Sequence, residues 1–157
     1  MRLFLLFIIS SFTGFGQRTD FSGSWTINKT KIQFGEAPEW VLPKGFTVVQ
    51  NKNTISIERI LLDEQMKEYP FTEVLNYNGA DSVNTTSLGT KKTTSLKWNG
   101  DGNTFVLTSR SVKANYLPGN STVETWSLED DHTLVIDRHV EQADGSKYDI
   151  KAYYEKK

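Results

Sequence analysis

Short segments in which apolar and polar residues alternate run along the chain from residue 46 to its end. In residues 54–62 and 133–140, most side chains at every second position are apolar, as in a β-strand with one buried face. Clusters of Gly, Asn and Asp separate these segments, and such clusters favour tight turns between antiparallel strands. The pattern therefore predicts an all-β fold built from hairpins.

Nine candidate strands follow one another in the pattern. This cadence is typical of a sandwich or of a closed barrel, and we expect a single antiparallel up-and-down β-barrel of about eight or nine strands with little helix. Residues 61–68 compete as a helix, but their polar surface and the following Pro70 favour a loop or a strand extension. The candidate strands are residues 20–28, 46–50, 54–62, 69–77, 93–98, 104–110, 121–128, 133–140 and 147–155.

The first candidate strand carries a Gly-x-Trp motif at Gly23 and Trp25. Its segment Phe21-Ser-Gly-Ser-Trp25 resembles the opening strand of calycins, which include lipocalins, fatty-acid-binding proteins and their bacterial lipocalin-like relatives. The resemblance implies that Trp25 packs across one end of the barrel and that Gly23 lets neighbouring backbone come close. It also implies that an Arg or Lys from a late strand lies across Trp25, and Arg138 is the candidate.

Two later segments, Trp98-Asn-Gly-Asp-Gly and Glu124-Thr-Trp-Ser-Leu128, extend the similarity to small exported lipocalin-like proteins. The resemblance implies a barrel that binds a small apolar or amphipathic ligand. Trp98 and Trp126 are then candidate ligand contacts, because strand alternation places both on the inner face.

The connection between the first two strands, residues 29–43, is too apolar for an idle surface loop. Calycins often fold this connection over the barrel mouth, so the resemblance implies a lid, with Phe34 and Trp40 as candidate ligand contacts. The alternative is that Phe34 and Trp40 plug the barrel end as ordinary core.

Alternation also places charged residues inside the barrel. Arg59 shares a face with Ile57, and Arg138 shares a face with apolar residues of its own strand. If Leu128 pairs with Leu134 across the turn at residues 129–132, Glu124 lies opposite Arg138. A two-residue turn at residues 144–145 would pair Arg138 with a lysine, so we expect a bulge or a longer turn there.

Two roles for these charges remain open. In the structural role, Glu124 neutralises Arg138, which closes the barrel end above Trp25. In the binding role, Arg59 and Arg138 converge on a ligand carboxylate, which arginine binds through two parallel hydrogen bonds. Fatty-acid-binding proteins use interior arginines in this way, and here Glu124 competes for one of the two.

The first 16 residues are typical of a cleaved signal peptide, with Arg2, an apolar run at residues 3–9 and a small-residue exit. The run is shorter than the roughly 20 residues that span a bilayer, and its alternative is a buried strand. We therefore expect one domain at residues 17–157, exported to the periplasm or secreted, with no membrane span after cleavage. The chain has no cysteine, which excludes disulfides and a cysteine-linked lipid anchor.

Composition narrows the classes of function. The net charge is −1 and the basic residues are scattered, so nucleic-acid binding is not expected. His132 and His139 are the only histidines, too few for a zinc site, and no catalytic or cofactor motif occurs. We therefore expect a non-enzymatic binding barrel with no metal or cofactor. The alternative is a solid-core barrel that acts as an envelope interaction or structural module without a small ligand.

Overall fold

The computed structural model describes residues 18–157 except residues 33, 36, 88 and 114–116. The predicted signal peptide, residues 1–16, lies outside the described residues. Two short 3₁₀ helices, Lys29–Lys31 and Glu39–Val41, are the helical elements of the described part. No helix there is long and apolar enough to cross a membrane. The strands are β1 (Gly23–Ile27), β2 (Gly45–Gln50), β3 (Thr54–Leu62), β4 (Glu68–Asn76), β5 (Ser82–Thr85), β6 (Lys91–Trp98), β7 (Phe105–Val112), β8 (Pro118–Asp130), β9 (Thr133–Glu141) and β10 (Lys147–Lys156).

All ten strands form one antiparallel sheet that curls into a nearly closed barrel, in the order β4-β3-β2-β1-β10-β9-β8-β7-β6-β5. The first strand pairs with the last, with Trp25 opposite Lys156. The two ends of the sheet meet where β4 lies against β5 and β6, and no backbone ladder joins them among the described strands. The predicted all-β, up-and-down barrel is confirmed.

The tenth strand, β5, is absent from the predicted set. Its four residues include one apolar side chain, Val83, which is 65% exposed. A strand that buries no apolar face leaves no alternation in the sequence. The polar segment after β3 forms a loop at residues 63–67, as expected, and not a helix.

The turn between β9 and β10 is longer than two residues. The backbone N–H of Gln142 donates to Ser146 at 2.8 Å, so residues 142–146 form the loop. This loop places Arg138 opposite Ile150 and keeps the apolar face of β10 inside the barrel. The longer turn expected from the sequence is therefore present. Its physical reason is that a register shifted by one residue would turn the apolar side chains of β10 out of the barrel.

Aromatic rings fill the middle of the barrel. Phe46 contacts Tyr154 and Trp126 at centroid distances of 4.6 and 4.9 Å. Trp126 stacks on Phe105 at 5.3 Å, and Phe105 meets the edge of Phe21 at 4.9 Å. All five side chains are buried. Edge-to-face and offset contacts of this kind add to the free energy gained by burying the rings.

The aromatic packing continues to one end of the barrel. The Trp98 ring lies 5.2 Å from Phe105 and 5.8 Å from Tyr77. The Arg18 guanidinium covers the Tyr77 ring at 4.6 Å. This end is therefore closed by aromatic side chains, and we call it the aromatic end.

The opposite end is crossed by the segment 29–43, of which the structure describes all but residues 33 and 36, and we call this segment the lid. Ile32 and Leu42 are buried in the core, and Phe34 packs against it. Trp40 lies in the 3₁₀ helix Glu39–Val41 and is half-buried. Apolar contacts therefore hold much of the lid as part of the core, which matches the plug alternative for Phe34.

Gly23 and Trp25 differ in detail from the roles that the resemblance implies. Gly23 has φ = +137°, a conformation that L side chains rarely adopt. The close approach of backbone occurs instead at Gly45, where a Cβ would lie 2.5 Å from the Trp25 carbonyl oxygen. The cation above the Trp25 ring is Lys156, at 5.2 Å, and not Arg138. Lys156 pairs directly with Trp25 in the β1–β10 ladder, which explains its position.

The aromatic core predicts that the tryptophans differ in their contribution to stability. Trp126→Ala removes a fully buried ring and should lower the free energy of unfolding by about 3–5 kcal/mol. Trp40→Ala removes a half-buried ring and should cost much less. Urea unfolding followed by far-ultraviolet circular dichroism measures both, and equal losses would contradict this assignment.

Candidate functional site

A buried arginine, Arg59, lies at the centre of a network of charges inside the barrel. It takes an inner position on β3 between Ile57 and Leu61 and is 3% exposed. Its Nε donates to Glu73 Oε2 at 3.2 Å. Its Nη1 and Nη2 donate to the two carboxylate oxygens of Glu124 at 3.2 and 2.8 Å. One guanidinium therefore joins β3, β4 and β8.

Glu73 extends the network across the gap in the sheet. Thr94 Oγ1 donates to Glu73 Oε1 at 2.5 Å, and Lys92 Nζ donates to Oε2 at 2.9 Å. Both donors lie on β6, whereas Glu73 lies on β4. The hydrogen bonds that the Glu73 carboxylate accepts therefore link β4 to β6, which no backbone ladder joins in the described part of the chain.

The network also touches the aromatic core. Trp126 Nε1 donates to Glu124 Oε2 at 3.1 Å, and the Arg59 guanidinium lies 5.3 and 5.5 Å from the Phe46 and Trp126 rings. A cation over an aromatic face is attracted by the ring quadrupole. The polar network and the ring stack therefore meet at the middle of the barrel.

The positive charges hold both carboxylates ionised. Burial alone would raise the pKa of Glu124, but Arg59 and Arg138 outweigh it and hold that pKa well below its ordinary value. Burial also opposes ionisation of Glu73, whose pKa is nevertheless lowered by Arg59 and Lys92. The pKa of Lys92 is itself lowered, first by burial and then by the charge of Arg59. The two carboxylates are therefore surrounded by three basic side chains, those of Arg59, Lys92 and Arg138. The network thus has a formal excess of one positive charge.

Arg138 lies on β9 opposite Glu124, in the register expected from the sequence. Its Nε is 3.8 Å from Glu124 Oε1, too long for a hydrogen bond, and Arg59 is the closer partner of Glu124. Arg138 Nη1 donates to the Val41 carbonyl at 2.7 Å, and Tyr154 donates to the Pro43 carbonyl at 3.1 Å. These two bonds fasten the lid to the barrel.

The Nε of Arg138 has donor capacity to spare. This atom is buried and forms no hydrogen bond with any residue that the structure describes. Every guanidinium nitrogen of Arg59, by contrast, has a carboxylate partner. Of the two arginines predicted to bind a ligand, Arg138 is therefore the one that retains a donor for it.

A cavity of about 180 Å³ lies beside these groups, beneath Val41 and Pro43 of the lid. This volume is below the roughly 300 Å³ at which ligand pockets for drug-sized molecules begin. The cavity mixes charged, hydroxyl and apolar groups. Its lining includes Arg138, Lys92, Ser109, Thr122, Leu61 and Phe71.

The other predicted ligand contacts lie away from this cavity. Trp126 and Trp98 belong to the ring stack, and Phe34 packs against the hydrophobic core. Trp40 is not among the residues that line the cavity. Among the predicted binding residues, the structure therefore brings Arg59 and Arg138 together at the cavity.

Sequence reasoning missed Glu73 and Lys92. Glu73 alternates with Phe71 and Leu75 on one face of β4, so its inward position was readable from the pattern. Lys92 precedes Thr94 on the inner face of a strand whose early part is polar, so the pattern is weaker there. A carboxylate predicted on the inner face requires a positively charged partner inside the barrel. The position of Glu73 could therefore have prompted a search for such a partner.

Comparison of the chain with protein-family models gives no match, and comparison with curated proteins gives none either. Among the described residues, no three His, Asp or Glu side chains converge as a metal site would require.

The network predicts unequal contributions from the two arginines. Arg59→Met leaves two buried carboxylates without their shared partner and should lower the free energy of unfolding by about 3–5 kcal/mol. The coupling of Arg138 with Glu124 should be about 1 kcal/mol or less, because the Arg138 Nε lies 3.8 Å from Glu124 Oε1 and does not hydrogen-bond it. Double-mutant cycles with Glu124→Gln, read by urea unfolding, measure both couplings. A larger coupling for Arg138 would contradict the arrangement described here.

The lowered pKa values predict a loss of stability in acid. The stabilisation that ionised Glu73 and Glu124 give the folded state is complete above the ordinary glutamate pKa of 4.5. It decreases as the pH falls, because these carboxylates take up protons at a higher pH in the unfolded chain than in the folded chain. Each carboxylate contributes a slope of up to about 1.4 kcal/mol per pH unit. Glu73→Gln should reduce this slope between about pH 5 and pH 3 in urea unfolding. Unchanged slopes in the variant would show that Glu73 is not a source of acid sensitivity.

Proposed function

We propose that this chain is an exported, non-enzymatic, lipocalin-like barrel that holds one small amphipathic ligand beneath the lid. The observation that carries the proposal is the buried Nε of Arg138, which forms no hydrogen bond with the described residues, while the surrounding network holds a formal excess of one positive charge. A ligand carboxylate supplies the missing acceptor and balances the charge. Its apolar part contacts Leu61 and Phe71.

The size of the free space favours a small ligand over a long apolar one. Phe46, Trp126, Phe105 and Trp98 occupy the barrel between the charge network and the aromatic end. A fatty acid that extended along the barrel axis would have to displace these packed rings, at a cost of several kcal/mol. The ligand therefore stays at the lid end.

The second candidate function, a structural or interaction module without a small ligand, has its own support. The aromatic core is closely packed, and the two carboxylates already neutralise most of the positive charge. In that case Arg138 serves to fasten the lid through the Val41 carbonyl. Ligand binding distinguishes the two candidates.

Titration with acetate, butyrate and hexanoate tests the proposal. Saturable shifts of the Trp126 indole N–H in NMR spectra are expected, because this group donates to Glu124 beside the cavity. Arg138→Met should weaken binding about tenfold or more, since hydrogen bonds to charged groups are stronger than neutral ones.

Arg110→Met is the matched control, because Arg110 lies on the exposed face of β7. It should bind the carboxylates as the wild type does. If the wild type binds none of them saturably, the structural module becomes the better account.

A further inference from the structure

One wall of the cavity is made of hydroxyl and amide side chains. On the inner face of β7, Phe105 and Leu107 are followed toward the lid by Ser109 and Ser111. The inner face of the neighbouring strand β8 also becomes polar toward the lid, where Thr122 pairs directly with Ser109. An inner face that only packed the core would continue with apolar residues at these positions.

Two of these hydroxyls are free to bind a ligand. The Ser111 hydroxyl donates to the Asn120 carbonyl at 3.1 Å and accepts from the Asn120 N–H at 2.8 Å. The hydroxyls of Ser109 and Thr122 form no hydrogen bond with residues that the structure describes, although these side chains are 7% and 8% exposed. Both residues line the cavity, and each hydroxyl offers it one donor and an acceptor.

The volume limits the size of the occupant. A cavity of roughly 150 Å³ in another protein holds one benzene molecule of six heavy atoms. The volume here, about 180 Å³, therefore suits roughly six to eight heavy atoms. A carboxylate uses three of them, which leaves room for two or three carbons and their substituents.

We infer that the cavity selects a short hydroxylated monocarboxylate of three or four carbons, of which glycerate is the chemical type. Its carboxylate binds Arg138 and Lys92, and its hydroxyls bind Ser109 and Thr122. This inference rests on the proposed function and adds to it the class of ligand. A carboxylate without hydroxyls leaves both side chains unpaired, and an uncharged polyol leaves Arg138 unpaired.

Calorimetric titration of the purified protein with glycerate, butyrate and glycerol tests the selection. Glycerate should bind at least about fivefold more tightly than butyrate, since each added hydrogen bond contributes a factor of about two to ten. Glycerol should bind more weakly still. The double variant Ser109→Ala/Thr122→Val should reduce the affinity for glycerate to about that for butyrate, and each single variant should remove part of the difference.

Thr108→Val is the matched control, because Thr108 is exposed on the outer face of β7. It should keep the preference for glycerate. Equal affinities of the wild type for glycerate and butyrate, both weakened by Arg138→Met, would overturn the hydroxyl selection and leave the proposed function standing. If none of the three probes binds saturably, both the inference and the proposed function fail.

Discussion

The interaction on which the inner arrangement depends is the buried guanidinium of Arg59 between Glu73 and Glu124. A charge in the interior is tolerated only with a partner, and here each charged group has at least one. The planar fork of arginine fixes direction as well as distance, which apolar contacts do not. The Arg59 guanidinium therefore fixes the relative positions of β3, β4 and β8. Glu73 also accepts hydrogen bonds from Lys92 and Thr94, which ties β6 to the same group across the gap in the sheet.

This network divides the interior into two parts. Toward the aromatic end, rings from Phe46 to Trp98 exclude other molecules. Toward the lid, hydroxyls and cations surround a small cavity. The sequence predicted a small apolar or amphipathic ligand, and the packed rings fill the middle of the barrel while this cavity lies near the lid. The proposed ligand is accordingly smaller and more polar than a fatty acid.

The lid belongs to both parts of the molecule. Ile32 and Leu42 bury apolar surface in the core, whereas the carbonyls of Val41 and Pro43 accept hydrogen bonds from Arg138 and Tyr154. One nitrogen of Arg138 fastens the lid, while its Nε forms no hydrogen bond with the residues that the structure describes. The cavity that Arg138 lines is therefore bounded on one side by the lid residues Val41 and Pro43.

Local patterns in the sequence determined most of the fold. Alternation and turn residues placed nine strands, and the short turn after β8 placed Glu124 opposite Arg138, because hairpin pairing is a local property. Only the tertiary structure decided that Glu124 binds Arg59 from 65 residues away, since curvature of the barrel brings β3 and β8 face to face. Cavity volume was likewise out of reach, because it depends on how side chains from many strands pack together.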